Sequence, residues 1–576
     1  MRRRRDSSRK RARRILTFAG PMVTWAMRRS ADRFMRETAQ FGNISENMLV
    51  RILEQNGRTA FGRDRGLDGP NARQVFEALP TTTYTDYLPY IERIAAGEQN
   101  VLTAEPVIYF STTSGTTGPP KMIPVTQSKL DLSVSSRVTC MGLALRAGVL
   151  KSMRGPFMTI MTEHLGGRTS GGVQKGAATT SGFRQLGSIS EVIQSSPTEV
   201  TQIPDQAAAR YLHLLFGLGQ PHLWTIMAFF PATILFAMRD LHEHAERLLR
   251  DLADGTIDPE LALTADVHAR LERRLRANPA RARALGKLLA QDRFTVSNIW
   301  PDIGSILTAT GGAFHFYVNQ LEPFLGDVAM FSPLYSASEG TFGVGFSADR
   351  PHYLLTPLMS YIELLPTESM DDPAAKPIPA WKAEPGRSYE VVITTLDGLV
   401  RYRLHDIVKV VDFCGQTPVI EFVERRGQVV DIVGEKTAEH HVVEAIDAAS
   451  HLVDEPLVDY VLAPDTGPTP ACYILAIEEW HGDCEHNLKA REFVWAVDAA
   501  LRRIAPDYDE ECELGTLGPI ELVVLRPGAF ARLRERQTAA GVTDSQIKTP
   551  HVVADPTFIE REFGDEIQSR GGGSDA

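Results

Sequence analysis

The chain has 576 residues, 43% hydrophobic and 23% charged, which is ordinary globular usage; wholesale disorder is excluded, and the length asks for two or more domains. The net charge of −11 hides an asymmetry, because Met1–Arg14 carries nine Lys/Arg against Asp6 and leaves −19 on everything else, an acidic body that argues against a nucleic-acid partner. The five cysteines, Cys140, Cys414, Cys472, Cys484 and Cys512, are odd in number, show no CxxC or Cys/His ligand spacing, and read as reduced thiols.

After the basic run come thirteen mainly apolar residues, Ile15–Met27 (ILTFAGPMVTWAM). They are too few to span a bilayer, contain Gly20-Pro21, and run into Arg28-Arg29 without a small-residue cleavage site. Residues 1–30 are therefore expected to be a basic tail leading into a first packed helix, with weak membrane-surface contact through Arg2–Arg14 as the alternative. Residues from about 30 to 100 read as helices broken by turns.

Residues 111–124 read STTSGTTGPPKMIP. Small hydroxyl and glycine residues let backbone N–H groups and hydroxyls approach anionic oxygens, and Lys121 adds a mobile positive charge. The glycine and lysine spacing is not that of a Walker loop; it points to enzymes that turn a carboxylic acid into an acyl-adenylate. Taken alone, a run of this composition is equally a flexible loop. Gln206–Gln291 follows as a long helical block with apolar residues three and four apart between charges.

Two later segments complete a nucleotide site. TGGAFHFY (Thr310–Tyr317) precedes an apolar run, AMFSPLY, that ends in LYSASEG (Leu334–Gly340). If that run is one buried strand, Tyr335 to Glu339 emerge at its end, where open α/β sheets hold ligands. Ser338 would then bond acyl or phosphate oxygens, and Glu339 would hold Mg²⁺ through a hard oxygen. In LVRYRLHDIVKVVDF, Asp406 follows the basic Arg401 and Arg403 and would accept both ribose hydroxyls. Each segment alone is an ordinary strand edge or salt-bridge cluster; their order along the chain is what points to a nucleotide.

A Pro- and Gly-bearing loop, residues 366–387, precedes the strands YEVVITTLDG and IVKVVDF. Charges and glycine interrupt the β-rich pattern at Glu424–Lys436, and the remainder alternates strands with helices. The expected architecture is α/β, with a large N-terminal adenylate-forming domain of mixed β-sheets flanked by helices and a smaller α+β C-terminal lid. The boundaries are 31–424 for the large domain, 425–436 for a hinge, 437–565 for the lid and 566–576 for a disordered tail. No internal repeat is evident.

The chain resembles the Gretchen Hagen family of acyl acid amido synthetases, the auxin-responsive enzymes of plants and their bacterial relatives, a branch of the adenylate-forming enzymes. The resemblance runs from ILEQNGRTAFGRDRG (Ile52–Gly66) to SQIKTPHVV (Ser545–Val553) and includes DYLPYIERIAAGEQNVLTAEPVIYFSTTSGTT and YDEECELGTLGPIELVVLRPGAFARL. YIELLP (Tyr361–Pro366) and the KTP element narrow it to this family, since the phosphate loop is shared by all adenylate-forming enzymes. One departure is His405, which stands where plant members usually have Gly before the ribose-binding aspartate; its role is open. Met161–Thr180 keeps the family's paired glycines but too little else to carry over acyl-site residues.

The resemblance implies ATP and Mg²⁺ as cofactors. It assigns Ser111, Thr112, Thr113, Ser114, Gly115, Thr116, Thr117 and Lys121 to phosphates, Gly311 and Gly312 to adenine, and Tyr335, Ser338 and Asp406 to the rest of the acyl-adenylate. Glu339 would hold the metal. Arg425 and Lys436, at the hinge, and Lys548, in the KTP element, would be delivered by the lid. The implied partners are a carboxylic acid, with aryl or indole acids the family expectation, and an amine such as an amino acid. A monomer is expected, and dependence on ATP argues for the cytoplasm over export. Transfer of the acyl group to a thiol such as coenzyme A is the alternative activity, and a non-catalytic scaffold a further one.

Overall fold

The computed structural model describes residues 2–112, 121–151, 153–163, 165–185, 187–348, 350–426, 429–433, 435–450, 457–478, 488–539 and 549–571. The chain forms two compact units, the larger reaching to Phe422 and the smaller beginning at Val423.

Short runs rich in β-branched and aromatic residues make the strands of the larger unit. The first eight are β1 (Tyr109–Thr112), β2 (Met122–Val125), β3 (Phe157–Thr159), β4 (Leu165–Arg168), β5 (Gln174–Ala177), β6 (Thr225–Met227), β7 (Ser305–Leu307) and β8 (Ala329–Phe331). They form a mixed sheet of order β2-β1-β5-β4 and a parallel sheet of order β3-β6-β7-β8. The next are β9 (Leu334–Ala337), β10 (Gly340–Gly345), β11 (His352–Leu355), β12 (Ser360–Pro366), β13 (Ile378–Pro379), β14 (Ser388–Thr395), β15 (Tyr402–Cys414) and β16 (Thr417–Arg425). Their sheet has the order β13-β12-β14-β15-β16-β11-β10-β9 and is built of antiparallel pairs.

Helix Phe41–Asn56 buries Phe41, Ser45, Met48, Leu49, Ile52, Leu53 and Asn56, the stripe of a 3.6-residue period. Phe41, Leu49 and Ile52 share one core with Tyr87, Tyr361, Val391, Ile393, Tyr402 and Val408 of the large sheet and its flank. The N-terminal segment runs straight into helix Arg2–Glu37. Its buried stripe includes Gly20, Thr24, Ala31 and Phe34, and it packs on helix Gln127–Arg146, where a Cβ on Gly142 would stand 2.0 Å from the Met27 carbonyl oxygen. Among the described residues no helix is long and apolar enough to cross a membrane. Cys140, Cys414, Cys472 and Cys512 are free thiols; Cys484 lies outside the described residues.

In the smaller unit, β17 (Val429–Val430) and β18 (Thr437–Ala438) form a short pair, and β19 (Tyr460–Asp465), β20 (Cys472–Glu478), β21 (Glu521–Leu525) and β22 (Ile567–Gly571) form a sheet in chain order, packed by helices such as Leu488–Ile504. The α/β large unit and α+β small unit match the fold class expected from sequence.

Three local expectations need correction. AMFSPLY is not one strand: β8 and β9 belong to different sheets, because Pro333 between them cannot donate to a ladder. Tyr335 therefore lies within β9, and Ser338-Glu339 form the turn into β10. The block Gln206–Gln291 holds five helices but also β6, whose three residues are too few to show a period. The stretch from 566, expected to be tail, begins with β22, an edge strand whose half-exposed alternation has the composition of a solvated segment.

The last feature that positions the site is an irregularity between β14 and β15. Val392 faces Arg403 but Glu390 faces Ile407, so β15 bulges across Leu404–Asp406, with His405 at φ 62°. A bulge of this kind re-aims a side chain, here Asp406. Two carboxylate clamps hold the distortion. Arg401, itself at φ 47°, meets the buried Glu363 through Nε at 3.1 Å and a terminal nitrogen at 2.8 Å. Arg403 donates to Glu390 through Nε at 2.9 Å, and His405 Nδ1 lies 3.1 Å from the same carboxylate. Burial would raise the Glu390 carboxyl, but His405 and Arg403 outweigh it and hold it at about 2.

Glu390→Gln is therefore expected to cost about 3 kcal/mol of stability at neutral pH. Because the folded carboxyl titrates below the unfolded one, that contribution is full above about 4.5 and fades as pH falls toward about 2. Denaturant unfolding of both proteins across this range checks it: the gap between them must shrink with acid, and a constant gap would mean the carboxylate form is not what stabilises the bulge.

Candidate active site

The phosphate-loop segment leaves the sheet at a defined place. Ser111 pairs with Ile123 and Thr112 with Met122 across β1 and β2, so Lys121, directly before β2, stands next to the end of β1. Thr113, Ser114, Gly115, Thr116 and Thr117 lie outside the described residues. β1 also runs parallel to β5, with Thr112 opposite Ala177, and the loop thus springs from the carboxyl end of a parallel pair, the usual ligand edge of such sheets. Ser111 is buried in the strand and Thr112 half-buried.

Lys121 is held by a residue that sequence reasoning missed. Its ammonium lies 5.6 Å from the centre of the Tyr84 ring, a cation–π distance, and the Tyr84 hydroxyl accepts the Met122 N–H at 2.7 Å. One phenol thereby fixes both the start of β2 and the direction of the lysine. Burial raises the Tyr84 hydroxyl, and the Glu339 carboxylate nearby adds to the shift. The signal was one aromatic in TTTYTDY, far upstream of the loop.

The second and third segments meet through two tyrosine–carboxylate hydrogen bonds. The Tyr335 hydroxyl in β9 donates to Asp406 Oδ2 at 3.0 Å, and the Tyr402 hydroxyl in β15 donates to Glu339 Oε1 at 3.2 Å. Glu339 is 3% and Asp406 5% exposed, so each carboxylate needs such a donor. Tyr402 sits inside the LVRYRLHD segment, yet nothing in its spacing set it apart. Arg401 and Arg403, the basic residues before Asp406, are occupied by Glu363 and Glu390. His405 likewise serves Glu390.

Gly311 and Gly312 follow β7, at the carboxyl end of the parallel sheet. A Cβ on Gly311 would stand 3.3 Å from Pro351 Cβ, and Gly312 has φ 59°, so both positions favour glycine and leave bare backbone there.

In the smaller unit, Arg425 and Lys436 are exposed, and Lys436 has φ 45°. Glu435 beside it is buried and accepts the N–H groups of Ile432 and Val433, each at 2.8 Å, which fixes the turn that presents Lys436. Lys548 lies outside the described residues. The residues that follow it are anchored: the Thr549 hydroxyl donates to Asp459 Oδ2 at 2.7 Å, His551 Nε2 lies 3.0 Å from Asp459 Oδ1, and the His551 ring stacks on Tyr460 at 4.2 Å. Burial would raise the Asp459 carboxyl, but His551, Arg534 and Thr549 outweigh it and lower it.

Comparison with known proteins places this geometry. The GH3 family N-terminal domain matches residues 30–330, the central domain 353–425 and the C-terminal domain 440–557. Among curated relatives, jasmonoyl–L-amino acid synthetase JAR4 of Nicotiana attenuata is 27% identical over 92% of this chain and 94% of its own length. Indole-3-acetic acid-amido synthetase GH3.8 of Oryza sativa subsp. indica is 28% identical over 92% and 91%. Among solved structures, the AtGH3.15 acyl acid amido synthetase in complex with 2,4-DB superposes with a TM-score of 0.83 over 95% of this chain and 98% of that one, at 24% identity. These matches span almost the whole chain and agree with the resemblance carried by the motifs: the protein belongs to the GH3 family.

Proposed function

We propose that the chain is an ATP-dependent acyl acid amido synthetase that joins a carboxylic acid to an amine, with an amino acid as the acceptor that the relatives' names support. In the first half-reaction the acid's carboxylate attacks the α-phosphorus of ATP, giving acyl-AMP and pyrophosphate. In the second the amine nitrogen attacks the activated carbonyl carbon and AMP leaves. The observation that carries this reading is the pair of hydrogen bonds, Tyr335 to Asp406 and Tyr402 to Glu339, that joins the second and third segments of the family pattern.

The first step brings anions together, so fixed donors must offset their repulsion. Thr112 to Thr117 and Lys121 take the phosphates, with Ser111 behind them in the strand. Asp406 accepts from the ribose hydroxyls, Gly311 and Gly312 admit the adenine ring, and Ser338 serves the acyl or phosphate oxygens beside Tyr335. Glu339 fits Mg²⁺, a cation that takes one or two carboxylates together with substrate phosphates; when bound, it neutralises charge on the transferring group. Arg425, Lys436 and Lys548 are the contribution of the smaller unit to turnover. The enzyme acts as a monomer in the cytoplasm, where ATP is supplied.

Acid-dependent exchange of labelled pyrophosphate into ATP tests the reading, with products from hydroxylamine, amino acids and coenzyme A identified by mass spectrometry. Amide products are expected; thioester products would move the chain to acyl-coenzyme A formation, and no exchange with any acid of a broad panel would overturn the activity. Asp406→Ala is expected to weaken ATP binding by about 1.5–3 kcal/mol, the scale of hydrogen bonds to a charged group. Normal ATP affinity in that variant would remove Asp406 from the ribose.

For Lys548→Ala, single-turnover adenylation and amine capture are measured separately. At least one step should slow while ATP affinity stays near wild type, since a lysine's compact charge suits an oxygen that is negative only in passing. Wild-type rates in both steps would return Lys548 to the surface.

The N-terminal helix supports a second contact. Met22 and Trp25 are 67% and 60% exposed, and the Arg29 guanidinium lies over the Trp25 ring at 5.5 Å. Beside the +8 run Met1–Arg14, this face suits anionic lipid, at about 1 kcal/mol per basic residue near the surface. Deleting Met1–Arg14 should abolish sedimentation with phosphatidylserine vesicles and leave turnover in lipid-free buffer unchanged. Lost turnover would make the run part of the catalytic fold.

A further inference from the structure

Lys129 is a cation where two effects oppose one. It is 8% exposed, and it sits in the first turn of helix Gln127–Arg146, where the helix dipole disfavours positive charge. A residue kept at such a place has specific work for its charge. Its ammonium offers three N–H donors, and three acceptors surround it: Asp397 Oδ2 at 3.1 Å, the Ser338 carbonyl at 3.2 Å and the Pro124 carbonyl at 3.3 Å. Asp397 Oδ1 in turn accepts the Thr126 N–H at 3.1 Å and hydroxyl at 2.8 Å.

We propose that Lys129, paired with Asp397, is a positioning residue that sets the Ser338–Glu339 turn for adenylation. The three acceptors belong to three different segments. Pro124 lies in β2, opposite Phe110 of β1, Ser338 carries the turn that presents Glu339, and Asp397 lies in the link from β14 to the bulged strand of Asp406. One ammonium therefore ties β2, the turn of the proposed metal carboxylate and the link to the ribose strand together at a single point. Lys129, Asp397 and Glu339 also line one cavity of about 10 Å³. A guanidinium does not substitute, because its flat fork cannot reach three divergent oxygens.

The pair acts through Glu339, so the inference rests on the reading of Glu339 as the metal carboxylate. Its mark is the gain in ATP affinity that Mg²⁺ supplies, which depends on where Glu339 stands; a merely structural pair would leave that gain intact in the folded protein. The test compares the full chain with Lys129→Met/Asp397→Asn, which removes both charges together and leaves no unpaired buried ion. Calorimetry of ATP binding is run in Mg²⁺ and in EDTA, alongside pyrophosphate exchange and thermal melting. The expected result is a cooperative melt, ATP binding in EDTA unchanged, the Mg²⁺-dependent gain lost, and exchange slowed by on the order of tenfold to a hundredfold, the scale of a small misplacement of reacting groups.

A double variant that folds and keeps both the Mg²⁺ gain and the wild-type exchange rate overturns the proposal. If the double variant does not fold, Asp397→Asn alone frees the ammonium at constant shape and must show the same loss; retention of the gain there is equally fatal. Absence of exchange or of any Mg²⁺ gain in the wild type instead overturns the parent reading of the site.

Discussion

Buried carboxylates in the larger unit come with two kinds of partner, a side-chain cation or a neutral phenol. Glu363 and Glu390 are each clamped by a guanidinium, Arg401 and Arg403, which neutralises their charge within the fold. Glu339 is as deeply buried, yet among the described residues no arginine or lysine lies within ion-pair distance of it; its bond is to the neutral phenol of Tyr402. A hydroxyl donor meets the cost of removing a carboxylate from water only in part. In the function proposed above, a cation arriving with a nucleotide would complete that charge. Asp406, bonded to Tyr335, is likewise oriented by a phenol.

The same clamps explain the backbone strain at and just before the bulged strand. Arg401 and His405 both hold positive φ, a conformation that costs a residue with a side chain of order 1 kcal/mol or more and persists only when its surroundings over-determine it. Here the surroundings are the two glutamate clamps, which fix Arg401 and Arg403 just before the bulge and hold His405 inside it. A glycine before the aspartate would take this φ without strain. Histidine takes it because its imidazole adds a third contact to Glu390, so the departure from the plant pattern replaces backbone freedom with a side-chain tether.

How much of this was legible in sequence follows from how local each cause is. The phosphate-loop segment, the SASEG turn and the aspartate strand are each written in a few consecutive residues whose types suit the chemistry, which is why sequence alone could single them out. Tyr84 was not, because its role depends on β2 arriving above it from 38 residues downstream. Lys129 looked like any lysine on a helix face; only the meeting of three distant segments shows that its head group is buried. AMFSPLY failed for the opposite reason. Its composition is locally that of one strand, and the division at Pro333 reflects which of two sheets each half joins.

The N-terminal helix divides by the same logic of packing against exposure. The family match begins at residue 30, but Gly20 and Thr24, before it, are already buried, and Gly20 itself has no space for a side chain, with the Met153 carbonyl oxygen 2.3 Å from where a Cβ would stand. The Thr24 hydroxyl accepts the Met153 N–H at 3.1 Å. Two small residues one turn apart thus dock the helix on the backbone after helix Gln127–Arg146, the helix that carries Lys129. From Gly20 onward this element belongs to the folded body, whereas Met22 and Trp25, one face away, remain open to solvent. A single helix then joins a fixed docking stripe to an exposed apolar one.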